Sequence, residues 1–197
     1  MSDFLIGVLA LQGDFREHIH IVKSIGEKAI AVKTKEELAI VDGLIIPGGE
    51  STTVGKLLDR FGLMDVVRAF PMENKPIYGT CTGMILLAKD IEDSNQFKIG
   101  LLDVTVKRNA YGRQIDSFES SIFIKKITTI DRPHNSIFIR APFITRIGEN
   151  VEVMSELDGN IIMVREGLLL ASSFHPELTD DCRIHKYFLD MVKEYRG

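Results

Sequence analysis

Cysteine is scarce in this sequence, and long apolar runs are absent. Its 197 residues include only 2 cysteines, too few for the disulfide framework of a small secreted domain. No apolar stretch reaches the roughly eighteen residues that a membrane-spanning helix requires. The first residues, 1–6, lack the basic region of a secretory signal. We therefore expect a cytoplasmic protein with no membrane association, in which free thiols stay reduced.

Other common signals are missing as well. Because 24 basic and 28 acidic side chains give a net charge of -4 and form no basic block, we expect no nucleic-acid partner. No histidine cluster has metal-ligand spacing, so we expect no bound metal. The Gly-x-x-x-x-Gly-Lys-Ser/Thr pattern of a phosphate-binding loop is absent too. These absences argue against nucleic-acid, metal and nucleotide-phosphate binding.

What the sequence does contain is the composition of an ordinary globular domain, 45% hydrophobic and 26% charged. We expect one domain, residues 1–197, with a core that buries roughly 70% of the unfolded chain's surface. In the first half, strand patterns alternate with helical patterns, which predicts a parallel sheet with helices on both faces. The predicted strands are 4–11, 29–32, 43–46 and 76–78, and the predicted helices are 15–25, 51–61 and 64–70.

The second half is richer in strand patterns, with few helices between them. A polar stretch at 131–135 is typical of a surface turn. The last segment, from Ile184 to Tyr195, has apolar residues on one helical face. We therefore predict an α/β fold with a central mixed, mostly parallel sheet. The predicted strands of this half are 101–107, 121–127, 136–139, 151–155, 160–164 and 168–174.

The segment 78–84, Tyr-Gly-Thr-Cys-Thr-Gly-Met, is the most informative one in the chain. Cys81 lies between two glycines, after a strand pattern and before a helical pattern, which is the layout of a nucleophile elbow. The helix N-terminus behind the thiol favours the thiolate. The backbone N–H of Thr82 could then stabilise an oxyanion. The alternative is that Cys81 is a buried small apolar residue.

His175 and Glu177 follow the last predicted strand in the segment His-Pro-Glu. The imidazole could take the thiol proton of Cys81, and the carboxylate could orient the imidazole. This would complete a triad in the order nucleophile, base, orienter. Pro176 makes the segment a turn, so contact between the two side chains does not follow from their spacing. The alternative is a strand-terminal histidine that is bonded to backbone.

The remaining histidines and the second cysteine lack such a context. We assign no role to His18, His20 or His134. We expect His185, on the C-terminal helix, to be a surface or packing residue. Cys182 follows two aspartates whose charge disfavours a thiolate, so it is given no role either.

Two further segments could contact a substrate. The segment 48–51, Gly-Gly-Glu-Ser, is a glycine turn entering a helix, and its backbone amides could bind an oxyanion or a carbonyl oxygen. The alternative is a plain helix start that is capped by Ser51. Arg108 and Arg140 each follow a predicted strand, and a guanidinium could pair with a substrate carboxylate. The alternative for both arginines is a solvated surface charge.

Together these segments resemble the class I, or triad, glutamine amidotransferases, and within them the glutaminase subunits of pyridoxal 5'-phosphate synthases. The elbow and His-Pro-Glu match the whole superfamily, whereas Gly-Gly-Glu-Ser-Thr-Thr and Arg-Asn-x-x-Gly-Arg-Gln match the vitamin B6 branch. The matching segments extend along the whole chain and lie at 7–13, 16–18, 47–53, 79–81, 108–114, 116–119, 138–142 and 173–178.

The resemblance implies a three-layer, flavodoxin-like fold and a role for individual residues. It implies a catalytic triad of Cys81, His175 and Glu177, and an oxyanion hole formed by Gly49 and Thr82. It implies no cofactor. The glutamine-binding residues that it implies are Gly49, Glu50, Ser51, Arg108, Ile139 and Arg140.

The implied reaction is the hydrolysis of L-glutamine to L-glutamate and ammonia through a cysteine thioester. In the resembled family the ammonia passes to a barrel-shaped synthase subunit, which builds pyridoxal 5'-phosphate from a pentose phosphate and a triose phosphate. Full glutaminase activity requires that partner. The resemblance also implies a dodecameric synthase core that carries up to twelve glutaminase subunits.

Two positions depart from the family's pattern, and two other functions stay open. Thr82 stands where alanine is common, and its β-branched side chain could crowd the elbow. Asp14 stands where a small apolar residue is common, which could alter the partner surface. One other function is a different elbow-cysteine hydrolase, such as a peptidase, that does not need Arg108 and Arg140. The second is a non-catalytic module that binds a partner.

Overall fold

A computed structural model describes residues 4–108 and 117–196 of the chain. Segment 109–116, which carries most of the Arg-Asn-x-x-Gly-Arg-Gln match, lies outside the described residues. The single domain over residues 1–197 therefore stays a prediction. The observations below concern the two described ranges.

The first half of the described chain alternates strands with helices. Its elements are β1 (Leu5–Leu9), α1 (Phe15–Ser24), β2 (Lys28–Val32), α2 (Lys35–Ala39), β3 (Gly43–Ile46), α3 (Ser51–Arg60), α4 (Met64–Ala69), a 3-10 turn (Phe70–Glu73) and β4 (Ile77–Thr80). All residues of β3 and β4 are buried, as in parallel strands that are covered by helices on both faces. The helices between the strands provide the crossovers that parallel pairing requires.

The second half adds mostly strands. Its elements are α5 (Thr82–Leu87), β5 (Ala88–Ile91), β6 (Leu102–Lys107), β7 (Ser117–Ile122), β8 (His134–Ile139), β9 (Phe143–Ile147), β10 (Glu152–Leu157), β11 (Asn160–Glu166), β12 (Leu169–Ser172), a 3-10 turn (Pro176–Leu178) and α6 (Arg183–Arg196). Among the described helices, none combines the length and the apolar character needed to cross a membrane.

Ten of the described strands form one sheet. Their order is β2-β1-β3-β4-β12-β11-β9-β6-β5, with β10 paired to β11. Strands β1 to β4 and β12 pair in parallel, whereas β11 pairs antiparallel with its neighbours. Strands β7 and β8 form a separate antiparallel ribbon. This mixed, mostly parallel sheet confirms the predicted α/β fold class.

The side chains of β3 contribute to a core on each face of the sheet. Leu44 and Ile46 pack into one apolar cluster and Ile45 into the other, because successive side chains of a strand point to opposite faces. Met84 of α5 belongs to the first cluster and Phe188 of α6 to the second. The sheet is therefore the middle layer between two layers of helices, as predicted.

Some predicted elements were wrong in extent or missing. Helix α2 and strands β5 and β9 were not predicted. Strand β7 ends at Ile122 instead of continuing to 127, and Lys126 takes a left-handed φ of 67° that a strand does not tolerate. His134, assigned to a surface turn from its polar neighbours, is fully buried at the start of β8.

Candidate active site

The candidate nucleophile lies on a sharp turn between β4 and α5. Cys81 has a left-handed φ of 47° with a ψ of -97°. Such a backbone costs a non-glycine residue roughly 1–3 kcal/mol and is concentrated at functional sites. The turn is so tight that a Cβ on Gly83 would overlap the carbonyl oxygen of Ile46. The predicted strand-to-helix turn is therefore present, with Cys81 at its apex.

The pairing of β4 with β12 brings the candidate base to the same edge of the sheet. Thr80 is opposite Ser172 in this parallel register, and the Cys81 amide donates a hydrogen bond of 2.8 Å to the Ser172 carbonyl. Strand β12 leads directly to His175. Both residues therefore emerge at the carboxyl ends of adjacent strands, where open α/β sheets place their sites.

His175 and Glu177 are in direct contact despite the proline between them. His175 Nδ1 lies 2.7 Å from Glu177 Oε1, and both side chains are buried. Because a carboxylate only accepts hydrogen bonds, Nδ1 carries the hydrogen. Nε2 makes no conventional hydrogen bond within the described residues. Cys81 is nevertheless close enough to raise the pKa of the His175 imidazole.

The proton affinities of this pair are shifted. Burial is the largest single influence on His175 and lowers its pKa, but Cys81 and Glu177 together outweigh burial and raise the pKa to about 10. Burial raises the pKa of Glu177 above its usual value, although the hydrogen bond from His175 lowers it. At neutral pH the imidazole is therefore protonated, which is the state that a neighbouring thiolate favours.

The glycine turn at 48–51 packs against the imidazole. A Cβ on Gly48 would come within 2.9 Å of His175 Nδ1, so only glycine allows the ring to occupy this position. Asp14 is also near this nitrogen, with its Oδ2 3.7 Å from Nδ1. Asp14 is thus beside the candidate base, a location that was not predicted.

The Gly49–Glu50 peptide is held at both ends. Thr82 Oγ1 donates to the Gly49 carbonyl at 2.5 Å, and the Glu50 amide donates to Gln12 Oε1 at 2.7 Å. The Thr82 side chain, which was expected to crowd the elbow, is buried and bonded to the glycine turn. The threonine therefore links the elbow to the segment that was predicted to contact glutamine.

Glu50, rather than Ser51, caps helix α3, so the alternative of a helix start capped by Ser51 is wrong. Its carboxylate accepts the backbone amides of Thr52 and Thr53 and the hydroxyl of Thr53. The hydroxyl bond of Thr53 is the largest influence, and together these bonds lower the pKa of Glu50 to about 2. Any contact between this carboxylate and glutamine therefore competes with the cap.

A glutamine links two residues that were predicted to bind substrate. Gln96 Oε1 accepts hydrogen bonds from Arg108 Nη1 at 2.8 Å and from Ser51 Oγ at 3.2 Å. The Gln96 contact holds the half-buried Arg108 side chain against the N-terminus of α3. Gln96 was not singled out from the sequence, because its neighbours form no recognisable motif.

The end of β8 lies against the nucleophile. The carbonyl oxygen of Ile139 is 3.9 Å from Cys81 Sγ. Arg140, the next residue, takes a left-handed φ of 43°. It is exposed and forms no ion pair with any described residue. Its charge is therefore available to a ligand.

These side chains surround one cavity of about 300 Å³. A larger depression of about 700 Å³ lies behind Glu177 but contains neither Cys81 nor His175. The smaller cavity is thus the candidate active site. It is lined by Gln12, Asp14, Gly49, Glu50, Ser51, Cys81, Thr82, Ile85, Arg108, Ile139, Arg140 and His175.

The structure brings all predicted site residues together, with Glu177 behind His175, and adds several that sequence reasoning missed. Gln12 and Asp14 follow β1, and the carboxyl ends of parallel strands meet at one edge of the sheet, so this position was a usable signal. His18 is fully buried beside Glu177, and His185 is fully buried beside His18. His18 shares the buried face of α1 with Ile21 and Val22, which is the signal that could have found it.

We assign no cofactor-binding site among the described residues. One group of their side chains is close enough together to bind a cation. Ligand atoms of Asp14, His175 and Glu177 all lie within 4.8 Å of one another. His175 Nδ1 and Glu177 Oε1 already bond to each other at 2.7 Å. A cation would have to break that bond, so we assign no metal to this group.

The fold and the site together define the class of the protein. A cysteine on a strained elbow, with an imidazole and a carboxylate beyond the neighbouring strand, is the arrangement of an enzyme of the α/β fold class that uses a cysteine nucleophile. The family can be stated more closely. The sequence pattern of the SNO glutamine amidotransferase family matches residues 8–194, and the chain belongs to this family.

Individual relatives agree with that assignment. The pyridoxal 5'-phosphate synthase subunit PdxT of Niallia circulans is 51% identical over 191 residues, which cover 97% of this chain and 99% of that protein. The protein of the same name from Brevibacillus brevis is 50% identical over 192 residues, with 98% and 99% covered. A crystal structure of a glutamine amidotransferase is 47% identical, covers 95% of this chain and 98% of its own, and has a TM-score of 0.90. The predicted family resemblance is confirmed.

Proposed function

We propose that this chain hydrolyses L-glutamine to L-glutamate and ammonia, and that it supplies the ammonia to a pyridoxal 5'-phosphate synthase subunit. The observation that carries the proposal is the cavity in which Cys81 and His175 lie together with Arg108 and Arg140. Glutamine has an amide for the thiolate and a carboxylate for a guanidinium. The similar proteins named as synthase subunits support the same reading.

In the first half of the proposed reaction, the Cys81 thiolate attacks the side-chain amide carbon of glutamine. The carbonyl oxygen becomes an oxyanion, and the backbone N–H groups of Gly49 and Thr82 are the proposed donors to it. One such donor stabilises the transition state by about 3–4 kcal/mol. The carbon–nitrogen bond then breaks, and the imidazolium of His175 gives its proton to the departing ammonia.

In the second half, water attacks the glutamyl thioester. His175, now neutral, takes a proton from the water, and Glu177 holds the ring through Nδ1. The carbon–sulfur bond breaks, glutamate leaves, and the thiolate–imidazolium pair is restored. The sum is glutamine plus water giving glutamate plus ammonia.

The proposed ligand contacts divide between the two ends of the substrate. Arg140, which is exposed and free of ion pairs with described residues, binds the α-carboxylate, and Arg108 assists it from its bond to Gln96. Ser51 and Ile139 line the cavity beside them. The Glu50 carboxylate contributes only if glutamine can share it with the α3 cap.

The proposed partner is the barrel-shaped synthase subunit, with a dodecameric core that carries up to twelve copies of this chain in the cytoplasm. The relatives' names as synthase subunits support a heteromeric complex. Mass photometry of the mixed subunits tests the stoichiometry. Particles with twelve synthase subunits and increasing numbers of this chain are expected, and a saturating one-to-one heterodimer would contradict the proposal.

Ammonia release from glutamine tests the activity. The chain is assayed with the synthase subunit of the same organism, whose own competence is established with ammonium salt. We expect release of ammonia with the wild type and a loss of at least about a thousandfold with Cys81→Ala. A synthase that works with ammonium but receives nothing from glutamine would refute the proposed function.

The two arginine contacts separate this function from that of another elbow-cysteine hydrolase. Losing a hydrogen-bonded charge contact costs about 1.5–3 kcal/mol, so Arg140→Ala should raise KM for glutamine by about ten- to a hundredfold. Arg146→Ala is the matched control, because Arg146 is an exposed arginine on β9 that pairs with Asp103 outside the cavity. An unchanged KM in Arg140→Ala would favour the other hydrolase.

A further inference from the structure

Two buried histidines lie directly behind the candidate triad. Glu177 uses Oε1 to hold His175, and its second oxygen, Oε2, lies 3.3 Å from His18 Nε2. The side chains of Glu177 and His18 have no exposed surface. Oε2 makes no hydrogen bond of conventional geometry with any described residue, His18 included, and His18 Nε2, at 3.3 Å, is a potential donor beside it. A buried carboxylate oxygen without a donor is unfavourable, so this oxygen depends on His18.

The surroundings of His18 determine which of its nitrogens carries the hydrogen. Nε2 is 3.3 Å from Thr80 Oγ1 as well as from the carboxylate, and Nδ1 is 2.9 Å from His185 Nε2. Since the carboxylate only accepts, Nε2 is the donor, and Nδ1 must accept from His185. Nδ1 of His185 is buried and has no partner in the described ranges, which agrees with its being the unprotonated nitrogen.

Both imidazoles are neutral near neutral pH. Burial is the main reason that the pKa of His18 lies well below its usual value, and His185 and His175 lower it further. Burial, with a smaller influence of His134, lowers the pKa of His185 to about 3. When both imidazoles are neutral, only one of them can donate a hydrogen bond to the other. Here His185 donates to His18, and His18 donates to Glu177.

We propose that His18 is a positioning residue for the glutaminase reaction, in that its Nε2–H holds the second oxygen of Glu177 while His185 fixes the required tautomer. The inference rests on the proposed function. His18 does not touch the cavity; it acts by keeping Glu177 in the rotamer that contacts His175 Nδ1. Its contact with Thr80, the residue before Cys81, also fixes the orienting group relative to the strand that carries the nucleophile.

Three variants isolate the donor function of His18 from its packing. His18→Phe fills the space but removes the N–H, whereas His18→Gln keeps an N–H at a comparable distance from the backbone. His134→Phe is the matched control, because His134 is also fully buried and hydrogen-bonded, to Ser136 at 2.8 Å, and within the described residues has no hydrogen bond to the triad, to His18 or to His185. Its smaller electrostatic influence on His185 has the same direction as burial, so burial still keeps His185 neutral in this variant. Thermal unfolding of each variant measures the structural cost.

Glutamine hydrolysis with the synthase subunit is the first measurement. Outer-shell residues that orient metal ligands are worth about ten- to a hundredfold in activity, and by analogy His18→Phe should lower kcat by a comparable factor with little change in KM. His18→Gln should recover most of the activity. His134→Phe should lose stability while its kcat stays that of the wild type.

Alkylation of Cys81 by iodoacetamide is the second measurement, because it needs no glutamine. The adduct is located by mass spectrometry, which separates it from Cys182. At pH 7 we expect His18→Phe to react several-fold more slowly than the wild type, and His18→Gln and His134→Phe to react at the wild-type rate. A displaced Glu177 no longer supports the protonated His175 that accompanies the thiolate.

The outcomes separate the two proposals. A folded His18→Phe with the kcat and alkylation rate of the wild type overturns the positioning role, and so does a His18→Gln as impaired as His18→Phe. Equal losses in His134→Phe also overturn it, because they would reflect packing alone. If the wild type releases no ammonia from glutamine but the alkylation pattern holds, the glutaminase proposal fails and the positioning role stands.

Discussion

At the scale of single residues, the charge on His175 is set by the two groups beside it. Burial would favour a neutral ring, but Cys81 and Glu177 raise its pKa to about 10. A group whose folded pKa lies above its unfolded value of about 6.5 stabilises the fold below pH 6.5, and this stabilisation is lost as the pH rises through 10. The same range limits the reaction, because the imidazolium must be present to protonate ammonia.

Replacing Glu177 should move the alkaline limit of activity to lower pH. Glu177→Gln removes one of the two influences that raise the pKa of His175, so the pKa falls from about 10. The pH dependence of kcat for glutamine hydrolysis measures the shift, with Glu156→Gln, an exposed change on β10, as the control. An alkaline limit that stays in place in Glu177→Gln would mean that the carboxylate does not act on the ring.

Local motifs were readable from the sequence at this scale, and distant contacts were not. Cys81 and His175 could be singled out because the glycines and the proline that shape their turns are their immediate neighbours. His18 and His185 are 167 positions apart, yet their nitrogens are 2.9 Å from each other. No pattern along the chain encodes such a pair, and both histidines were therefore given no catalytic context.

At the scale of elements, helix α3 joins the glycine turn to the cavity through its N-terminus. Glu50 accepts two backbone amides of the first turn, which satisfies donors that have no partner inside the helix. The amide of the same residue is bonded to Gln12, which follows β1. The cap therefore fixes the helix and the Gly49–Glu50 peptide together.

Removing the cap should destabilise the protein by a measurable amount. Loss of an N-cap side chain costs about 1 kcal/mol, which corresponds to a decrease in Tm of about 2–4 °C in a protein of this size. Glu50→Ala should show this decrease in thermal unfolding. Asp59→Ala, an exposed acidic residue near the other end of α3, should not. Equal Tm values for both variants would contradict the capping role.

Strand β3, which is buried on both faces, was predicted well, and strand β5, which is half exposed, was not. Strand β3 is an uninterrupted apolar run, and the prediction matched its bounds. Strand β5 has two exposed charged residues, Lys89 and Asp90, in a four-residue strand, so it lacks both a long apolar run and an alternation. Strand β5 forms because it pairs with β6 in the folded protein. Strand propensity, which is read from neighbouring residues, does not contain this long-range contact.

At the scale of the whole molecule, three buried histidines are held in the neutral form. Burial is the main cause that lowers the pKa of His18, His134 and His185. A histidine whose folded pKa is depressed contributes stability that is present above its unfolded pKa of about 6.5 and is lost as the pH falls toward the folded value. The unfolded chain binds these protons first, so acid favours unfolding.

The free energy of unfolding should therefore fall steeply below about pH 6.5. Each such histidine contributes a slope of up to about 1.4 kcal/mol per pH unit. Urea unfolding between pH 7 and pH 5 measures the free energy of unfolding, and His134→Phe should reduce its slope by one histidine's share. A free energy that is constant over this range, or an unaltered slope in His134→Phe, would show that these rings are not neutral in the fold.

The order of the strands is the feature of the whole molecule that the patterns alone could not supply. Periodicity predicted a strand before Cys81 and another before His175, but many orders of a mixed sheet are compatible with those strands. The direct pairing of β4 with β12, with Thr80 opposite Ser172, is what brings the two residues to one edge. Before the structure, only the family resemblance implied this neighbourhood.

Reaction with a diazo-ketone analogue of glutamine tests the central claim, that Cys81 and His175 act together on the amide of glutamine. The chain is incubated with the analogue in the presence of a synthase subunit that is competent with ammonium, and the adduct is mapped by mass spectrometry. We predict a single adduct on Cys81 that excess glutamine prevents and that His175→Ala abolishes. An adduct on Cys182, or none at all with a competent partner, would contradict the account.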